Sequence, residues 1–229
     1  MSRKVLVVCA HPDDEALGAA GTLARHSAEG DEVHLLFVSE GVTARDVKCD
    51  IPARAKEIDE RKQMAEKAAR AIRAHRPRFL DLPDNRMDQI ELLDIVKLIE
   101  AVIIEIAPEI VYTNHANDLN VDHRITHQAV LTACRPLPGA LVKTIYAFET
   151  ASSTEWELAG LGKPFQPTRF VDITPYWKNK RAAIAAYEGE MRPFPHPRSA
   201  EAIEAKARWR GAQVGLTVAE AFVIVREII

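Results

Sequence analysis

A histidine and three acids crowd into five residues near the start of the chain: His11, Pro12, Asp13, Asp14 and Glu15, directly after the apolar run VLVVCA. Carboxylates this close repel one another, and they are costly at the edge of a core unless something positive sits among them. A helix N-terminus, a basic side chain or a metal ion would each serve. His11 and Asp14 offer an imidazole and a carboxylate, and His123, beside Asp122, is a third donor far along the chain. Two histidines and a carboxylate, with a position left for water, is a common composition for a catalytic zinc site. A dication would stabilise one ionised carboxylate and leave room for a second nearby. Asp13, adjacent to the ligands, would then reach a metal-bound water as general base. The plainer reading makes HPDD a helix N-cap, with Asp13 or Asp14 accepting from free backbone N–H groups. His127, one helical turn beyond His123, reads as a residue facing solvent rather than a ligand.

The elements that must position these residues alternate. KVLVVCA is apolar on both parities and reads as a strand buried on both faces. Leu17, Ala20, Leu23 and Ala24 recur at helical spacing, which predicts one helix from Asp14 to about Glu29 with Gly30 as its stop. EVHLLFVS, RFLDLP, EIVYTNH and VKTIYAFE are further strands. Between them lie helical stretches at about 53–75, 88–107 and 121–135. Four strand–helix alternations within 150 residues predict a mostly parallel sheet covered by helices. Beyond Phe148 the pattern loosens: TRFVDI reads as an edge strand, Thr174 as a cap with Pro175 at a first helical position, 199–212 as a helix, and AEAFVIVREI as a closing strand. The expectation is a single doubly wound α/β domain over 1–229, three-layered and Rossmann-like. Its core spans about 1–150, with a C-terminal addition over about 151–229.

In such sheets ligands bind beyond the carboxyl ends of the strands. HPDDE, SEG at 39–41, PDNRMD at 83–88 and NHANDLNVDH at 114–123 all follow strands, which puts four polar clusters on one edge. A phosphate cradle around LGAAGTL fails, because the spacing is not G-x-G-x-x-G and three acids would lie where a pyrophosphate belongs.

Thirty basic against 33 acidic residues, with no long Lys/Arg run, leave no nucleic-acid or membrane-surface footprint. No stretch approaches the ~18–20 apolar residues of a membrane span, and the N-terminal apolar run is too short for a signal peptide. Cys9, Cys49 and Cys134 are scattered and odd in number, which argues against a disulfide framework and for a cytoplasmic protein with reduced thiols. The apolar C-terminal AFVIVREII offers an edge through which a homo-oligomer could pair.

AHPDDEALGAAGTLA and DLNVDHRITHQAV together resemble the two motifs of the LmbE-like, or PIG-L-type, de-N-acetylase family, and ERKQMAEKAARAI, LPDNRMD, PHPRSAEAI and RWRGAQVGLTVAEAF extend the resemblance over nearly the whole chain. The resemblance implies a zinc hydrolase that removes an acetyl group from an amino sugar or related amide. Its ligands would be His11, Asp14 and His123, its base Asp13. Arg61 and Asp88 resemble residues that contact substrate. Ferrous iron or another divalent ion would suit the same mixed donors. One departure stands out: where many members carry a histidine, this chain has Asn120, in NVDH. An amide can donate to an oxyanion but cannot shuttle a proton. If a cationic helper is needed, His115 in the same loop comes first and His196 second, with Asp122 either orienting His115 or capping the helix. The competing functions are an amidase for a non-sugar N-acyl conjugate and an inactive metal- or carbohydrate-binding protein. Trp156 and Phe165, in a polar loop at 150–166, are available to stack on a ring.

Overall fold

The computed structural model describes residues 2–157, 160 and 162–229. The remaining positions of the 150–166 loop, 158, 159 and 161, lie outside the described residues. Seven strands form one sheet in the order β3-β2-β1-β4-β5-β7-β6: β1 (Lys4–Cys9), β2 (Glu32–Ser39), β3 (Arg78–Leu82), β4 (Ile110–Asn114), β5 (Thr144–Phe148), β6 (Arg169–Asp172) and β7 (Ala219–Glu227). The first five pair in parallel, and β7 runs antiparallel between β5 and β6. Alternation along β1 decides the layering. Val5, Val7 and Cys9 face one core, whereas Leu6, Val8 and Ala10 face the other. The first core is covered by α1 (Asp14–Gly18), α2 (Ala20–Ala28), α3 (Ala55–Ala71), α6 (Trp177–Ala185) and α7 (Ala200–Ala212). The second is covered by α4 (Leu92–Ile106) and α5 (Val121–Ala133). In α4 the buried Ile95, Val96, Ile99, Val102 and Ile106 repeat at helical spacing, and the chain leaves through Ala107 at φ 56, just before Pro108.

Three expectations need correction. The predicted helix over 14–29 is two helices, broken at Ala19 (φ −139, ψ −1). A Cβ on Gly18 would sit 2.3 Å from the Phe148 ring, and one on Gly21 2.8 Å from Ile173, so both glycines permit close approach. The amides exposed by the break are satisfied from β7. The buried Glu220 carboxylate accepts from Gly21 N (3.0 Å) and Thr22 N (2.7 Å) and pairs with Lys180 Nζ at 2.6 Å. Thr174 does not cap α6 with its side chain. It opens a short turn, Thr174–Tyr176, and its N–H donates to Asp172 Oδ1 at 2.9 Å. The C-terminal strand is an edge over only part of its length: β5 flanks it on one side, and on the other β6 (TRFVDI) pairs with Ala219–Phe222 alone.

Strand order reverses between β1 and β4. The crevice beyond their carboxyl ends receives the chain after β1 and the loop between β4 and α5, so His11–Glu15 and Asn114–His123 meet there.

Candidate metal centre and cleft

Asn114, the last residue of β4, builds the first contact. Its Oδ1 accepts from Ala10 N at 3.0 Å, and its Nδ2 donates to Asp14 Oδ2 at 3.0 Å. Asp14 Oδ2 also accepts from His11 N at 2.9 Å, which fixes the carboxylate at the start of α1. Asp14 Oδ1 is buried without a hydrogen-bond partner. Around it, His123 Nε2 lies 3.3 Å away, and His11 Nδ1 is 3.1 Å from His123 Nε2 and 3.7 Å from Asp14 Oδ2. Donors bound tetrahedrally at 2.0–2.1 Å stand about 3.3 Å apart, so these three side chains fit a small divalent cation. An ionised oxygen left unpaired in this setting is otherwise expensive.

The outer nitrogens of both histidines are held by acids. His11 Nε2 faces Asp84 Oδ1 at 3.0 Å and Asp122 Oδ2 at 3.3 Å. His123 Nδ1 faces Asp118 Oδ2 at 3.2 Å. Asp118 in turn accepts from Asn120 N (2.9 Å), Thr154 Oγ1 (2.6 Å) and Ser153 Oγ. Such carboxylate–histidine pairs fix the ring tautomer and aim the other nitrogen. Burial alone would lower the two histidines. Asp122, Asp14 and Asp84 instead lift His11 well above its ordinary value, and Asp14 and Asp118 lift His123 to about 9. Burial opposes ionisation of Asp14 too, but His123 and His11 hold it well below the carboxylate range.

The other two acids of the cluster part ways. Glu15 turns behind the site, where Tyr187 Oη donates to it at 2.7 Å and burial pushes its carboxyl up to about 8. Burial thus favours the neutral form of Glu15, which eases the repulsion among the three acids. Asp13 sits before α1 at φ 140 and makes no capping hydrogen bond. Its Oδ2 accepts from Arg198 Nη1 at 2.8 Å, and its Oδ1 is buried and unpartnered. Burial and the Asp14 charge push its carboxyl up, against the pull of Arg198.

A polar cleft of about 450 Å³ opens over this cluster, lined by His11, Asp13, Arg61, Asn120, His196 and Arg198 among others. Arg61, on α3, donates to Pro12 O at 3.2 Å and pairs with Glu190. Asn120 caps α5, its Oδ1 accepting from Asp122 N at 2.8 Å. His196 Nδ1 accepts from Arg198 N at 3.1 Å.

Four residues sit differently from expectation. His115 follows Asn114, so strand alternation turns its ring away from the cluster. It approaches Lys163 O at 3.4 Å and Phe165 edge-on, beside a separate cavity. Asp122 neither meets His115 nor caps α5. Besides His11, its carboxylate accepts from Asn85 N (2.7 Å) and Met87 N (3.1 Å). Asp88 is exposed on the turn Met87–Gln89. The left-handed Asn85 (φ 54) directs Asp84 inward in its stead. His127 does not face solvent: it is buried, and its Nδ1 bonds Asn114 O at 2.8 Å and supports the end of β4. Asp84, Asn114, Asp118, Glu190 and Arg198 are the site residues that sequence reasoning missed. The first three lie in the polar clusters after β3 and β4, and Arg198 lies in PHPRS.

A family model described as PIG-L, GlcNAc-PI de-N-acetylase, matches residues 6–134. The chain is 27% identical over 192 residues to the "Probable N-acetyl-alpha-D-glucosaminyl L-malate deacetylase 2" of Bacillus cereus, covering 83% of this chain and 84% of that protein. It is 29% identical over 203 residues to 4-oxalmesaconate hydratase of Pseudomonas putida, covering 82% of this chain and 74% of that protein. Its fold superimposes on that of N,N'-diacetylchitobiose deacetylase from Pyrococcus horikoshii with a TM-score of 0.77 at 20% identity, covering 98% of this chain and 84% of that one.

Proposed function

Because the chain belongs to the PIG-L (LmbE-like) family of hydrolytic N-deacetylases, we propose that it removes the acetyl group from an N-acetylated amino sugar within a small N-acetylglucosamine-containing conjugate. One observation carries the reading. His11 Nδ1, an Asp14 carboxylate oxygen and His123 Nε2 converge to within 4.8 Å of one another, and the adjacent Asp13 keeps one buried oxygen free. We assign His11, Asp14 and His123 to a divalent cation, zinc first and ferrous iron second. Bound there, the cation supplies Lewis-acid polarisation and lowers the pKa of a coordinated water to about 7.

The chain's own residues do the rest. Asp13 Oδ1 takes a proton from the attacking water and, as the C–N bond breaks, returns it to the departing amine nitrogen. Asn120 is the amide donor to the developing oxyanion, a contact worth roughly 3–4 kcal/mol. Arg61 and His196 line the cleft and are assigned to the sugar. Asp84, Asp122 and Asp118 hold the two imidazoles in place. The products are acetate and a free amine. The whole chain acts as one catalytic domain, and its three free cysteines suit a reducing cytoplasm. Among the described residues no helix is long and apolar enough to cross a membrane.

The hydratase relative raises a second reading, water addition to a carbon–carbon double bond. The test is incubation of zinc-loaded protein with a panel of N-acetylglucosamine conjugates and, separately, with unsaturated dicarboxylic acids. Equal amounts of acetate and free amine are expected. Loss of alkene absorbance without acetate release would transfer the site to hydration. Turnover of neither panel would leave the binding-protein reading.

A further inference from the structure

Asp13 occupies a backbone conformation that side-chain-bearing residues rarely adopt, φ 140 and ψ −22. Such a conformation persists only where the surroundings over-determine it. The anchors come from well-separated parts of the chain. Asp13 N donates to Glu15 Oε2 at 3.2 Å, and Arg61 Nη1 donates to Pro12 O at 3.2 Å. Pro12 packs against Gly41, where a Cβ would lie 2.8 Å from the proline Cδ. The side chain is held by Arg198, 185 residues away, whose Nη1 donates to Asp13 Oδ2 at 2.8 Å. Arg198 is itself fixed: its Nε donates to Ser152 Oγ at 2.7 Å, and Glu190 Oε2 lies 3.6 Å from its Nη1. Glu190 also pairs with Arg61, so the two arginines share one acid.

We propose that Arg198 is a positioning residue for Asp13, tying Oδ2 so that Oδ1 alone is free to take the proton, with Glu190 and Arg61 bracing it. The proposal rests on the reading of Asp13 as the base. A planar guanidinium serves the Asp13 and Ser152 acceptors at fixed angles, whereas an ammonium at that distance along the chain has no such fork. The segment between α6 and α7 is thereby part of the catalytic apparatus.

The test uses Arg198→Ala and Arg198→Lys beside the wild type, each with measured metal content. Metal content stays at the wild-type level, since Arg198 touches none of the three assigned ligands. In Arg198→Ala, kcat falls by about 100-fold, the scale of a misplaced acid–base group, while KM stays within about threefold. Guanidinium added to the buffer restores part of the loss. Arg198→Lys keeps the charge and the fold, and recovers less than about tenfold. A raised KM with unchanged kcat would make Arg198 a substrate contact and overturn the proposal, as would full activity in either variant. Crystal structures of the metal-free variants provide a readout that needs no substrate. The Asp13 carboxylate rotates in Arg198→Ala, and an Asp13 unmoved in φ and side-chain torsion would overturn the proposal even if the wild type released no acetate.

Discussion

Asp118→Asn is the most informative change outside the three assigned ligands. Asp118 Oδ2 faces His123 Nδ1 (3.2 Å) and accepts from Thr154 Oγ1, while Oδ1 accepts from Asn120 N and Ser153 Oγ. All of these groups are donors or can be. An asparagine therefore sets its NH2 against His123 Nδ1–H in one orientation and against the Asn120 N–H in the other. In the first orientation the imidazole loses the acceptor that holds its tautomer, in the second it keeps only a neutral one at the expense of the Asn120 N–H, and metal affinity falls by about 10- to 100-fold, equivalent to roughly 1.4–2.7 kcal/mol. Asp84→Asn supplies the internal comparison. His11 Nε2 retains Asp122 at 3.3 Å when Asp84 is lost, so its affinity falls by less than about tenfold. Competition with a fluorescent zinc chelator at pH 7 measures both. An Asp118→Asn variant within about threefold of wild type, or a larger loss in Asp84→Asn, would refute the argument that these acids aim the ligands.

Metal binding must displace protons. Asp122, Asp14 and Asp84 hold His11 above its ordinary value and Asp14 and Asp118 raise His123 to about 9, so the metal-free pair holds protons more tightly than free imidazoles do. Titration calorimetry in buffers of different ionisation enthalpy should find at least about one proton released per cation, with affinity climbing as pH rises towards 9. At the far end of the sheet, burial would raise Asp31, but Arg3 and His26 bring it from 3.8 to about 2. A depressed carboxyl stabilises the fold above its unfolded pKa and loses that contribution as pH falls from about 4 through 2. Asp31→Asn should cost about 2 kcal/mol at pH 7 and flatten the acid limb of urea denaturation. Glu220→Gln leaves Lys180, 3% exposed, without its counter-charge. The expected cost is about 3–5 kcal/mol, or a melting midpoint lowered by roughly 10 °C, and adding Lys180→Met should recover part of it.

The convergence of the three assigned ligands was legible because their spacing is short and their types are uncommon together. Two donors three positions apart at a strand end, plus a histidine at another, need little tertiary knowledge. The layering was legible for a similar reason: a run such as KVLVVC is apolar on both parities, so it must be covered on both faces. What escaped depends on turns. In PDNRMD, the backbone at Asn85 decides which acid faces the cleft, and composition favours neither Asp84 nor Asp88. His115 was a plausible helper by proximity in sequence, yet Asn114 takes the inward position and alternation excludes its neighbour. Glu220 looks like an ordinary polar residue of a strand until the α1–α2 break exposes amides opposite it. Arg198 meets Asp13 only through the path of the chain after α6, which no local pattern reports.

On the reading proposed above, Asp13 is the base beside a cation held by His11, Asp14 and His123. Metal content and acetate release, measured together on wild type and Asp13→Asn, test it most directly. Both proteins should carry about one divalent ion per chain, with acetate release in the variant reduced by at least about 100-fold. Turnover retained in Asp13→Asn, or a wild type that releases acetate after its metal has been stripped, would contradict the account.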